Sequence, residues 1–70
     1  MIGEIISAGP ASNYEGDFVV IFDCLGYWDY RDTIAPWANE NLFHGIKFQP
    51  NASVLLFDAS DYALFMLGWA

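Results

Sequence analysis

The last stretch of the chain, from Asp58 to Ala70, constrains the possible fold most strongly. Its final nine residues, Tyr62–Ala70, carry no charge. Asp58 is suited to accept hydrogen bonds from a first helical turn, and Asp61 stands three residues later, where a capping box would let it reach back to Asp58. The pattern therefore predicts a helix that begins at Asp58 and is apolar on every side. Such a helix has to be buried all round, yet 70 residues offer little core.

Helical spacing divides this segment into two faces. The first face, which we assign to the core, consists of Tyr62, Phe65, Met66 and Trp69. Leu64 and Leu67 point away from that stripe, and an exposed apolar patch of this kind usually marks an interface. We therefore predict that these two leucines contact a second copy of the chain or another protein. The alternative is that the first helix or the N-terminal segment covers them.

Short β-favourable segments predict the sheet. The three clearest are Asp17–Asp23, Ile46–Gln49 and Ser53–Phe57. The last two form a predicted hairpin. The five consecutive apolar residues of the first indicate a strand that is covered on both faces, or one that has a covered face and a partner on the other. Ile2–Ser7 also has β character, but the turn formers of Ala8–Asn13 are expected to break it. Whether this first piece pairs as an edge strand stays open.

The middle of the chain predicts a loop and a helix. Gly26–Asp32 is acidic and aromatic and is predicted to be a loop. A helix is expected over Thr33–Phe43, capped by Asp32 or Thr33, with Pro36 in its first turn, where the missing N–H costs nothing. The element order (β)-β-α-β-β-α predicts a single α+β domain over the whole chain. We expect an antiparallel sheet of three or four strands with both helices on one face.

The charge balance restricts the classes of partner. Nine acids face two bases, Arg31 and Lys47, which gives a net charge of −7. Two bases cannot hold a polyphosphate backbone, so direct binding of nucleic acid is disfavoured, and an anionic membrane surface would repel the chain. A basic surface on a protein partner would attract it. The alternative is that the acids only keep an apolar protein soluble.

A single cysteine and short apolar runs indicate the compartment. Cys24 has no second cysteine to pair with, so an internal disulfide is excluded and a reducing, intracellular setting is expected. No apolar run reaches the roughly 18–20 residues that span a bilayer. The N-terminal residues lack the basic region of a signal peptide. We therefore expect a cytoplasmic protein that does not enter the membrane.

No catalytic or metal-binding motif stands out. Cys24 and His44 are predicted at the ends of different elements, whereas nucleophilic catalysis needs a base within hydrogen-bond reach. Asp23, Asp29 and Asp32 do not have the spacing of a calcium loop. One histidine without a cysteine pair argues against zinc. The sequence therefore predicts a protein that is not an enzyme and has no cofactor or metal.

The aromatic segment after Gly26 combines residue types that dominate binding hot spots. Its candidate partner-binding residues are Tyr27, Trp28, Asp29, Tyr30 and Asp32. Because the aromatic rings adjoin acids, this segment could dock on a basic groove of a partner. The alternative is that Trp28 or Tyr30 closes one end of the core.

The ending SVLLFDASDYALFMLGWA and the preceding RDTIAPWANENL resemble a pattern in small phage-encoded acidic proteins. There a strand leads into an Asp-x-x-Asp helix start and an apolar helix that ends near a Trp. The resemblance implies a phage origin and a protein that inhibits host enzymes or defence systems. Combined with the net charge of −7 and the aromatic, acidic segment, it leads to the hypothesis of a protein in the host cytoplasm that binds and inhibits or modulates a host protein by occupying a basic nucleic-acid-binding surface. The resemblance carries no functional residues. The alternative function is a structural or self-assembling protein, either a homo-oligomer or a virion component.

Overall fold

The computed structural model describes residues 2–11 and 17–69. Its four strands are β1 (Ile5–Pro10), β2 (Phe18–Phe22), β3 (Ile46–Gln49) and β4 (Ser53–Leu56). They form one antiparallel sheet in the order β1-β2-β4-β3. The helical segments are α1 (Tyr27–Asp29), a π-helical turn (Tyr30–Ile34), α2 (Ala35–Asn41) and α3 (Ala59–Trp69). The predicted α+β class, strand pairing and element order are confirmed.

The two central strands, β2 and β4, carry side chains into two apolar clusters. Val20 pairs with Val54 in the register of these strands, and both are fully buried in the main core together with Ile34 and Phe65 from the two helical stretches. Successive side chains of a strand point to opposite faces. The neighbouring pair Val19 and Leu55 therefore belongs to a second, smaller cluster with Ala11. This arrangement confirms that the apolar run of β2 is covered on both faces.

Strand β1 extends further than the sequence predicted. It continues to Pro10, and Gly9 and Pro10 pair with Val19 and Phe18 of β2. The expected break at Ala8 is therefore wrong for residues 8–10, while Ser12 and Asn13 lie outside the described residues. The physical reason is position, because β1 forms one edge of the sheet. A proline is tolerated in an edge strand, where one side of the backbone has no ladder partner.

The first helical stretch begins at Tyr27, so the predicted loop over Gly26–Asp32 is wrong. Gly26 has an extended backbone and precedes the helix, and the predicted caps Asp32 and Thr33 lie inside it. The N–H of Ala35 donates to the carbonyl of Tyr30, which closes a wide π-helical turn. This turn stands directly before Pro36, the position at which a regular helix would lose a hydrogen bond.

Helix α3 begins where the sequence predicted, after Asp58. The N–H of Ser60 donates to Asp58 Oδ2 at 3.0 Å, and the N–H of Tyr62 donates to the Asp58 carbonyl at 2.9 Å. The stripe assigned to the core is also confirmed, since Phe65 is fully buried and its three companions pack against the main cluster. Gly68 lets Trp37 approach closely, because a Cβ at Gly68 would lie 2.6 Å from Trp37 Cζ2.

Candidate functional site

The aromatic segment of the first helical stretch presents an ordered, exposed tryptophan. The Trp28 residue is 64% exposed. The guanidinium carbon of Arg31 lies 5.1 Å from the centre of its ring, which is a cation–π distance. The ring of Tyr27, itself exposed, meets Trp28 edge-on at 5.3 Å and 75°. Trp28 is therefore held in a defined orientation by two neighbours and still faces solvent.

Phe48 of β3 anchors this segment to the sheet. Its ring lies 5.7 Å from that of Tyr27 and 5.1 Å from that of Tyr30. Tyr30 is half-buried against the core, and burial, together with the neighbouring Tyr27 phenol, raises the pKa of the Tyr30 hydroxyl. Of the two rings predicted as possible core closures, Tyr30 packs on the core and Trp28 does not.

The outer side of α3 carries the second candidate surface. Leu64 and Leu67 are exposed, and Leu67 is 84% accessible, so the described residues leave it uncovered. Phe43, in the loop after α2, is 81% accessible. Its N–H donates to the side chain of Asp61, in the first turn of α3, at 3.0 Å. The predicted alternative, that another part of the domain covers this side of α3, fails for Leu67 among the described residues.

Asp61 is the residue whose role the sequence did not predict. Its side chain is fully buried, and it does not reach back to Asp58 as a capping box requires. Instead Oδ1 accepts the N–H of Phe43 at 3.0 Å and Oδ2 accepts the N–H of His44 at 2.7 Å. The predicted capping box is therefore wrong. A buried carboxylate needs donors, and the loop after α2 supplies two of them.

The electrostatics of Asp61 follow from these contacts. Burial by itself raises the pKa of the Asp61 carboxyl. The hydrogen bonds from Phe43 and His44, with the charge and hydrogen bond of the His44 ring, outweigh burial, so the pKa of Asp61 lies below its ordinary range. The ring that covers the carboxylate is itself 58% exposed. Asp61 is thus a covered carboxylate close to the molecular surface that stays ionised at neutral pH.

The same loop brings a histidine to two carboxylates. His44 Nδ1 lies 3.4 Å from Asp61 Oδ2 and 4.0 Å from Asp58 Oδ2. One donor atom from each of the three residues falls within 4.8 Å of the others. Among the described residues, these three side chains form the cluster of possible metal ligands. It differs from the set Asp23, Asp29 and Asp32 that the sequence analysis considered for calcium. Cys24, which was considered from the sequence as a catalytic partner of His44, is exposed and lies just after the end of β2.

The seven predicted partner-binding residues thus come from two helical stretches. Contacts within the first group join Tyr27, Trp28 and Tyr30, while Leu64 and Leu67 share the outer side of α3. Asp29 is half-buried and Asp32 is exposed. Among the described residues, no helix is both long and apolar enough to cross a membrane. Comparisons with family models, curated proteins and solved structures find no match for this chain.

Proposed function

We propose that the chain is a small, non-enzymatic, phage-type protein that binds a host protein and inhibits or modulates it. In this proposal the acidic surface and the exposed aromatic residues occupy a basic, nucleic-acid-binding surface of the partner. The observation that carries the proposal is the exposed Trp28, ordered by Arg31 and Tyr27. Tryptophan, tyrosine and arginine dominate binding hot spots.

The charge of the chain supports a basic partner. A net charge of −7 on 70 residues creates a negative potential that attracts a positively charged surface and repels a polyanion. The exposed ring of Trp28 can bury apolar area on contact, while exposed Asp32, one helical turn further on, supplies charge at its margin. Such a division into an aromatic centre and a charged rim is typical of protein interfaces.

The test compares matched variants in a capture experiment. The immobilised chain is exposed to host lysate, and a retained protein is accepted as the partner only if Trp28→Ala releases it and Asp23→Asn, at an exposed acid elsewhere, does not. The chain and duplex DNA or RNA then compete for the purified partner. We expect Trp28→Ala to weaken binding at least about tenfold, which is the cost of a hot spot of about 1.4 kcal/mol or more.

Failure of competition would remove the nucleic-acid-binding part of the proposal while leaving partner binding intact. Equal binding by wild type and Trp28→Ala would remove the aromatic surface from the interface. The affinity should also fall as salt rises from 50 to 500 mM, because salt screens the attraction between opposite charges.

A second candidate function is self-assembly through the outer side of α3. The observation that favours it is the exposure of Leu64 and Leu67. Light scattering tests it directly, since a homo-oligomer should become monomeric on Leu67→Glu. Salt separates the two functions, because association of two copies with charge −7 should strengthen with salt, whereas binding to a basic partner should weaken.

A further inference from the structure

We propose that His44, Asp58 and Asp61 together bind a divalent transition-metal ion of the Zn²⁺ class. The three donors come from the loop after α2 and from the start of α3, so the fold and not a local motif brings them together. This site is separate from the partner-binding proposal and does not depend on it.

The spacing of the donor atoms fits one small ion. A tetrahedral Zn²⁺ with bonds of about 2.0–2.1 Å to nitrogen and oxygen sets neighbouring ligand atoms about 3.3 Å apart. His44 Nδ1 lies 3.4 Å from Asp61 Oδ2 and 4.0 Å from Asp58 Oδ2. The three donor atoms lie within 4.8 Å of one another, so the partly exposed side chains of His44 and Asp58 have to rotate toward the ion on binding. The exposed side leaves room for water as a fourth ligand.

Asp61 is already oriented as a metal-ligating carboxylate is in known sites. Outer-shell hydrogen bonds fix the ligands of protein metal centres, and here two backbone N–H groups fix both oxygens of Asp61. Each oxygen of a carboxylate has two acceptor positions. The bond from the His44 N–H uses one position of Oδ2, and the other faces the imidazole Nδ1, whose hydrogen bond a bound metal ion would replace.

The donor set selects the class of ion. One imidazole nitrogen with two carboxylates suits Zn²⁺, Co²⁺ or Ni²⁺, whereas Ca²⁺ takes six to eight oxygens and Mg²⁺ keeps several waters. The helix dipole places roughly half a positive charge at the start of α3, and this charge repels a cation. Two carboxylates, Asp58 and Asp61, outweigh this partial charge and give the site a net negative field.

The experiment titrates Zn²⁺ into the whole chain at pH 7 in competition with a fluorescent chelator, and repeats the titration with Co²⁺ to record its visible absorption. His44→Ala should weaken Zn²⁺ at least tenfold, because it removes the nitrogen ligand at an exposed position. Asp58→Asn should also weaken it, while asparagine still caps α3. Asp23→Asn, which removes the same charge at an exposed position elsewhere, should change the affinity less than twofold.

Thermal unfolding gives a second readout. Saturating Zn²⁺ should raise the melting temperature of the wild type and leave that of His44→Ala unchanged, because only ligand binding to the folded state shifts it. Equal Zn²⁺ affinity in wild type and His44→Ala would overturn the site. An equal loss in Asp23→Asn and Asp58→Asn would also overturn it, since diffuse attraction to the acidic surface would then explain the binding.

Discussion

Replacing Asp61 by asparagine tests the contact between α3 and the loop after α2. The carboxylate accepts two backbone N–H groups, from Phe43 at 3.0 Å and from His44 at 2.7 Å. Asparagine keeps the shape but has one acceptor oxygen and an amide that only donates. In Asp61→Asn one of the two N–H groups therefore faces a donor, and the other loses a charged acceptor.

The expected cost is a large share of the total stability. A hydrogen bond to a charged group contributes about 1.5–3 kcal/mol. Because the covering His44 ring is itself partly exposed, we expect the lower part of that range for the lost bond, with a smaller loss for the weakened one, or about 2–3 kcal/mol together. Domains gain roughly 0.05–0.15 kcal/mol per residue, so a chain of this length has about 4–10 kcal/mol. The matched control is Asp58→Asn, which should cost less than about 0.5 kcal/mol because asparagine caps a helix equally well.

The assay is urea unfolding followed by tryptophan fluorescence, with a chelator present so that no metal contributes. The sign of the pH dependence follows from the lowered pKa of Asp61. Its contribution is complete above the unfolded value of about 3.9, and it is lost as pH falls through the lower folded value. The gap between wild type and Asp61→Asn should shrink below about pH 4.

Two outcomes would refute this reasoning. If Asp61→Asn costs no more than Asp58→Asn, the two hydrogen bonds do not stabilise the fold. If the gap persists unchanged below about pH 3, where the carboxyl takes up a proton in the unfolded chain and then in the folded one, the stabilisation does not come from the ionised form. Equal urea m-values in wild type and variants are needed for this comparison.

Three further substitutions test the packing. In Gly68→Ala the new Cβ would meet Trp37 at 2.6 Å, and the overpacking cost of about 1–3 kcal/mol is partly offset by the roughly 1 kcal/mol that alanine gains in a helix, which leaves a net loss of up to about 2 kcal/mol. As the matched control, Gly9→Ala has open space around it and should show no loss of melting temperature. Phe65→Ala should cost about 3–5 kcal/mol in urea unfolding because the ring is fully buried. Leu67→Ala should cost less than about 0.5 kcal/mol by the same measurement, since the side chain lies in solvent; a larger loss would mean that something covers it.

Local composition was sufficient to predict three of the four strands. The residues of β2, β3 and β4 are β-favourable and bounded by turn residues, so each strand can be recognised without its neighbours. The end of strand β1 could not be predicted in this way, because the glycine and proline at its end favour a turn locally. Its edge position permits them, and an edge position is a property of the whole sheet.

The start of the first helical stretch was missed for a related reason. Tyr27, Trp28 and Tyr30 are not strong helix formers, and the acids between them resemble a loop. The contacts of Tyr27 and Tyr30 with Phe48, a residue about twenty positions away, supply tertiary packing that propensity does not contain. The sequence left open whether Trp28 lies at the surface or closes the core, and the structure places it at the surface.

Asp61 has a structural role that depends on residues distant in the sequence. The Asp-x-x-Asp spacing located the helix start, but the acceptor role of Asp61 is directed to residues 17 and 18 positions earlier. A local sequence pattern around Asp61 therefore cannot predict these two hydrogen bonds. One consequence concerns the proposed self-assembly surface, since the Asp61 bonds hold the backbones of Phe43 and His44 against α3 while Leu67 lies in solvent. Asp61→Asn should therefore loosen the loop after α2 while leaving Leu67 in place. If self-assembly uses Leu64 and Leu67 alone, the folded Asp61→Asn variant should keep the oligomeric state of the wild type, whereas Leu67→Glu should make the chain monomeric.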